Sequence, residues 1–147
     1  FLNNFIVHQK NFKDFCKWRK ESKRPGPISF PLAKNDPQYL QQNKFDKTLT
    51  WVGHATFLLQ INGYNILTDP HFSKRASPLS FMGPERTTPP GLQIDKLPFI
   101  DVVVISHNHY DHLDSQSIKS LIKRQQTNQP VFFFFFLLKK PNQNFGA

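Results

Sequence analysis

From Thr48 onward the chain runs in short blocks whose hydrophobic and polar positions alternate. Between Thr48 and Val52, Leu49 and Trp51 alternate with threonines, which predicts a strand. Thr56 to Ile61 is a second strand and Tyr64 to Thr68 a third. Between these two, Asn62-Gly63 is a favoured type I′ hairpin turn, because both of its central residues need positive φ. Asp69-Pro70 ends the third strand, since proline has no N–H to give to a ladder. Residues 71–100 show no clean period and are broken by Pro78, Pro84, Pro89, Pro90 and Pro98. A loop of this length in a compact domain is usually functional or disordered. Asp101 to Ser106 encloses Val102, Val103, Val104 and Ile105, a β-branched run that predicts a buried strand. Asp114 or Ser115 then caps a helix with apolar positions at Ile118, Leu121 and Ile122, and Pro130 closes the unit. Strand, loop and helix in this order give an α/β layered fold.

The first third of the chain reads differently. Lys10, Lys13, Lys17, Arg19, Lys20, Lys23 and Arg24 are opposed only by Asp14 and Glu21, and Phe12, Phe15 and Trp18 recur at a helix-like spacing. Pro25-Gly26-Pro27 stops that helix, and the following residues to about 46 read as a loop-rich lead-in. This stretch either lies on an anionic bilayer with its aromatics inserted, or packs its aromatic stripe on the domain as a solvated helix. Over the whole chain, 19 basic and 10 acidic side chains leave a net charge of +9, which favours anionic partners without choosing among phosphates, lipid headgroups and nucleic acid. The longest apolar run, Val131 to Leu138, is far shorter than the ~20 residues of a membrane span. The lone Cys16 excludes an internal disulfide framework and is expected to be a small packed hydrophobe in a reducing, cytoplasmic compartment.

The chemistry is concentrated directly after the buried strand, in Ser106-His107-Asn108-His109-Tyr110-Asp111-His112. Imidazole nitrogen and carboxylate oxygen together suit a borderline cation such as zinc. In an extended loop His107 and His109 point the same way and can share one metal, while Asp111 and His112, beyond the bend, can serve a second. Paired metals polarise a substrate oxygen and lower the pKa of a shared water, which is hydrolytic chemistry, with Asp111 and His112 as the catalytic side of the cluster.

His-x-His-x-Asp-His after an apolar strand resembles the hallmark of the metallo-β-lactamase superfamily. Thr50-Trp51-Val52-Gly53-His54-Ala55-Thr56, Leu67-Thr68-Asp69-Pro70, Arg75-Ala76-Ser77-Pro78, Met82-Gly83-Pro84 and Ile105 through Asp114 narrow the resemblance to N-acylphosphatidylethanolamine-hydrolysing phospholipase D and its bacterial relatives. It implies an αββα sandwich with two zinc ions at one sheet edge, held by His107 and His109 and by Asp111 and His112. It also implies hydrolysis of a phospholipid phosphodiester to a phosphatidate and an N-acylethanolamine. On this reading residues 1–47 are a basic, aromatic lead-in, 48–133 the N-terminal part of the sandwich, and 134–147 an atypical tail. The family completes its site with a later His, a bridging Asp and a final His, and beyond Asp114 this chain carries no His or Asp. Together with Phe1 at the start, Met82 as the sole methionine and the run Phe132 to Phe136, this reads as an inactive fragment with a frameshifted tail.

Weaker signals surround the cluster. His54 is either a core or hairpin histidine or a residue that supports the metal site from beside it. Asp69 is read as a turn-capping Asp, with hydrogen bonding to a metal-bound His as the alternative. His8 and His71 are read as ordinary surface residues, and Gly83 with its prolines as a loop shaping the substrate side. Alternative functions are a same-fold hydrolase of a small cyclic phosphodiester or lactone, and a non-catalytic pseudogene product. Nucleic-acid binding is not expected, because no recognition motif accompanies the charge. The expected location is the cytoplasm, with peripheral contact at the inner face of a membrane for a lipid substrate, and oligomeric state is left open.

Overall fold

The computed structural model describes residues 12–21, 33–77 and 81–135. One five-stranded sheet organises the chain, with strands β1 (Thr48–Gly53), β2 (Thr56–Ile61), β3 (Tyr64–Thr68), β4 (Val102–Ile105) and β5 (Val131–Phe134) in sequential order. The first three strands form an antiparallel meander, and β4 and β5 continue it in parallel. Asn62 and Gly63 both take positive φ, 51° and 80°, so the turn chemistry sets the β2–β3 register with Ile61 opposite Tyr64. Parallel pairing demands crossovers: residues 69–101 make the first, and α3 (Ser115–Arg124) the second. The remaining helices are α1 (Phe12–Glu21) and α2 (Pro37–Gln42), with a single 3-10 turn at Ile94–Lys96.

The hydrophobic core lies on one face of the sheet. Leu58, Leu67, Val103 and Ile105 are fully buried there, under Leu121 of α3, Leu97 and Ile100 of the long connection, and Leu40 of α2. Each such side chain contributes roughly 1.5–3 kcal/mol by leaving water. Two buried glutamines pin the cover to the sheet. Gln60 Nε2 donates to the Leu40 carbonyl at 2.8 Å, and Gln125 exchanges hydrogen bonds with both backbone groups of Ile100 at 2.9 and 2.8 Å. The opposite face is apolar too, since cross-strand pairs Leu49–Leu59, Trp51–Phe57, Val102–Val131 and Val104–Phe133 line it. There Leu49 (68% exposed), Trp51, Val131 and Phe133 remain open. The result is an α/β layer pair, the arrangement of one half of an αββα sandwich.

Several details depart from the sequence reading. The β4 run is buried on one side only: Val103 and Ile105 are inaccessible while Val102 and Val104 are half-buried, because the second face of the sheet carries no cover among the described residues. The lead-in contains α2, whose start is set by Asp36, with Oδ1 accepting from the Gln38 and Tyr39 amides, and by Pro37 at the first helical position. Cys16 is exposed on α1 rather than packed. The side chains of Phe12, Phe15 and Trp18, together with His8 and the tail beyond Phe135, lie outside the described residues. β5 reaches Phe134, one residue past the expected domain boundary, and the Phe135 amide still donates to Ile105 O at 2.8 Å.

Candidate metal centre

The cluster forms where β3 and β4 end side by side. The Asp69 amide donates to Val104 O at 2.8 Å, extending the β3–β4 ladder by one bond just as the chain turns with φ of 37°. That turn drives the Asp69 carboxylate under the first residue after β4. Oδ1 accepts the Ser106 amide at 2.7 Å, and Oδ2 accepts the Ser106 hydroxyl at 2.8 Å and His112 Nδ1–H at 3.0 Å. Asp69 is 7% exposed, so these bonds form with little competition from water. The His109 carbonyl accepts the amides of both His112 and Leu113, at 3.0 and 2.7 Å, and folds the loop back on itself. The His107 and His112 rings then lie 4.0 Å apart between centroids.

The hydrogen bonds decide which ring nitrogens are free. Ser106 Oγ spends its proton on Asp69 and accepts from His107 Nδ1 at 2.9 Å. With Nδ1 the donor in both His107 and His112, their Nε2 atoms carry lone pairs, the tautomer a metal ligand needs. His112 Nε2 lies 3.5 Å from Asp111 Oδ2, and His54 Nε2 lies 2.9 Å from the same oxygen. His107 Nε2 lies 3.0 Å from His109 Nδ1. Two ligands of tetrahedral zinc at 2.0–2.1 Å stand about 3.3 Å apart, so these separations bracket that of atoms sharing a cation. Ligand atoms of His54, Asp111 and His112 all fall within 4.8 Å of one another. The donor set fits zinc, with one group at His54, Asp111 and His112 and an adjoining pair at His107 and His109.

His54 sits in the two-residue turn between β1 and β2 with φ of 51°, after Gly53 at φ of 145° and a bulge in the β1–β2 register. Its carbonyl accepts the Trp51 indole N–H at 3.0 Å, which holds the turn over the cluster. Burial alone would raise the Asp111 carboxyl, but its own backbone N–H, the charge of His112 and the His54 hydrogen bond outweigh it and hold it below the usual value.

A cavity of about 790 Å³ opens beside the cluster, lined among others by His54, His109, Asp111, His71 and Arg86. His71 is not a surface residue as the sequence reading had it: it is 5% exposed, because its amide donates to Thr56 Oγ1 at 3.1 Å and draws it under the sheet rim. Arg86 Nη2 donates to His71 Nδ1 at 3.0 Å and to the His71 carbonyl. The structure therefore brings together all four motif residues with His54 and Asp69. Ser106, His71 and Arg86 are residues that sequence reasoning missed; only Ser106, adjacent to the motif, carried any local signal.

Comparison with known proteins identifies the family. The family model described as "Beta-lactamase superfamily domain" matches residues 48–142. An uncharacterized protein of Mycobacterium bovis is 44% identical over 108 residues, 73% of this chain and 28% of that protein. The N-acyl-phosphatidylethanolamine-hydrolyzing phospholipase D 1 of Caenorhabditis elegans is 47% identical over 72 residues, 49% of this chain and 20% of its own length. A metal-dependent hydrolase of Methanopyrus kandleri is 35% identical over 65 residues, 44% of this chain and 23% of its own. The chain thus spans less than a third of these relatives.

Proposed function

Since the chain belongs to the metallo-β-lactamase superfamily of metal-dependent hydrolases, we propose that it carries the metal-binding face of a zinc phosphodiesterase acting on N-acylphosphatidylethanolamine or a similar phospholipid. The observation that supports this most is the Asp69–His112–Asp111–His54 chain of contacts, which leaves His112 Nε2 unprotonated beside a carboxylate oxygen. Zinc bound there would polarise a phosphoryl oxygen and lower the pKa of a coordinated water. In this reading His107 and His109 hold one ion, and Asp111 and His112 the other. Asp69 fixes the His112 tautomer, and Ser106 relays the same constraint to His107. His54 restrains Asp111 from the β1–β2 turn. The likeness to the Caenorhabditis elegans phospholipase supports a lipid phosphodiester, and the likeness to the Methanopyrus protein supports metal-dependent hydrolysis without naming a substrate; a small cyclic phosphodiester or lactone is the second substrate class. The basic and aromatic residues of α1 suit peripheral contact with anionic lipid, and no described helix is long and apolar enough to cross a membrane.

Zinc content of the purified chain tests the reading. Near-stoichiometric zinc, lost in His107→Ala and in Asp111→Ala, is the expected result, and a chain that retains no zinc would refute it. The four-residue cluster lacks the further His and Asp that the resemblance adds, so the 147 residues assayed alone are expected to bind metal without turning over substrate.

A further inference from the structure

Arg86 occupies an unusual position in the cavity wall. Its side chain is half-buried, yet its hydrogen bonds go to neutral acceptors: the His71 carbonyl, His71 Nδ1 and, at 3.5 Å, Ser73 O. Glu85, next in the chain, is turned toward Lys74 at 3.0 Å and Arg75 at 2.7 Å. Asp114, the carboxylate whose charge Arg86 feels, is engaged by Ser73, Gln116 and Ser117. Among the described carboxylates none forms an ion pair with Arg86. Gly53 makes room for it: a Cβ there would stand 2.9 Å from Nη1, so the guanidinium rests against the turn that carries His54. A partly buried cation with no ion pair among the described residues, and only the already engaged Asp114 acting on it at longer range, is costly, and the fold holds this one in place beside the cluster.

His71 adds a second donor. Arginine has no acceptor, so His71 Nδ1 must accept from Arg86, and the neutral ring carries its proton on Nε2. Burial, and then the charge of Arg86, push the His71 pKa down and favour that neutral form. Nε2 is itself buried without a partner, an unspent N–H in the wall that lines the cavity. A metal at this nitrogen would require Nδ1 to carry the proton, directly against the Arg86 N–H.

We propose that Arg86 is the recognition residue for an anionic phosphodiester group entering the cavity, with His71 as its positioning residue and as a second hydrogen-bond donor. With Nη2 donating to His71 and Nε to Ser73 O, Nη1 is the guanidinium nitrogen that carries no described hydrogen bond, and its N–H groups can donate to a non-bridging oxygen while the delocalised charge faces the anion. This rests on the phosphodiester reading and deepens it, because a neutral lactone brings no charge to balance Arg86.

The test is a titration of the ¹⁵N-labelled chain with dimethyl phosphate, and separately with γ-butyrolactone, in EDTA and again with zinc. Dimethyl phosphate is expected to shift the Arg86 side-chain and His71 Nε2–H resonances saturably, and the lactone to leave them in place. Arg86→Gln should weaken dimethyl phosphate binding by about tenfold or more with zinc uptake unchanged, and Arg86→Lys should fall between the two. Should Arg86→Gln lose its fold by circular dichroism, the unmodified chain and Arg86→Lys decide the matter. Unmoved resonances in the unmodified chain, equal response to the lactone, or binding within twofold in a folded Arg86 variant would overturn the proposal. Arg86-dependent phosphate binding in a chain that takes up no zinc would refute the metal reading and leave this one standing.

Discussion

Replacing Asp69 by Asn tests the central physical argument about the metal cluster. The carboxylate accepts three hydrogen bonds, at 2.7, 2.8 and 3.0 Å, and donates none. An Asn keeps the shape but can accept on one side only. With its carbonyl on the Ser106 amide, its NH₂ faces the Ser106 hydroxyl and His112 Nδ1. The hydroxyl can rotate to accept, but His112 must then accept at Nδ1 and move its proton to Nε2, the nitrogen that faces Asp111. The variant thus converts a ligand into a donor without touching any ligand. Loss of a supporting carboxylate of this kind costs about 10–100-fold in metal affinity. Stability should fall by about 1–3 kcal/mol from the disturbed buried network. Zinc affinity by competition with a chromophoric chelator, together with long-range ¹H–¹⁵N spectra of His112, measures both effects. A folded Asp69→Asn chain with zinc affinity within twofold of the original and His112 still protonated at Nδ1 would refute the reasoning.

The remaining predictions concern the scaffold. Gly53→Ala should cost about 1–3 kcal/mol, since φ of 145° is foreign to alanine and its Cβ would meet Arg86 Nη1 at 2.9 Å; a lower thermal midpoint checks it. Gln125→Leu should cost about 1–3 kcal/mol for each backbone group of Ile100 left unpaired, read from urea unfolding. Burial pushes the Asp114 carboxyl up, but hydrogen bonds from Ser117 and Ser73 outweigh it and leave its folded pKa below the ordinary value. Its contribution is therefore present above the unfolded value of about 4 and lost as pH falls through the lower folded one. Asp114→Asn should lose about 1–2 kcal/mol at neutral pH and show a flatter decline of stability below pH ~4, by denaturant midpoints across that range.

What could be read from the sequence was what is encoded locally. Asn62-Gly63 dictates its own turn, and the alternation on either side needs only its immediate neighbours to set β2 and β3. The His107 to His112 motif was legible for the same reason, because all four candidate ligands lie within one loop. Asp69 is different. Its acceptor role depends on Ser106 and His112, remote in sequence, and becomes visible only when β3 and β4 are paired. His71 reads as a surface residue because nothing beside it predicts that Thr56 will capture its amide. Arg86 sits in a connection without periodicity, where composition says little about which side chain turns inward. The half-open β4 could not be foreseen either: an apolar run reports what a strand can bury, and not what is there to cover it.

The 69–101 connection has a consequence for the order of folding. β1, β2 and β3 are joined by tight turns and can assemble from local contacts, whereas pairing β3 with β4 requires closing a loop of roughly 30 residues before any bond is gained. His54 and Asp69 lie on the early side of that closure, and His107 to His112 on the late side. The contacts of Asp69 with His112 and of His54 with Asp111 therefore form only when the slow step is complete. A cation held by His54 together with the 107–112 loop would hold shut the loop that is hardest to close, slowing unfolding more than it speeds folding, so that a bound metal would act as a latch of the fold.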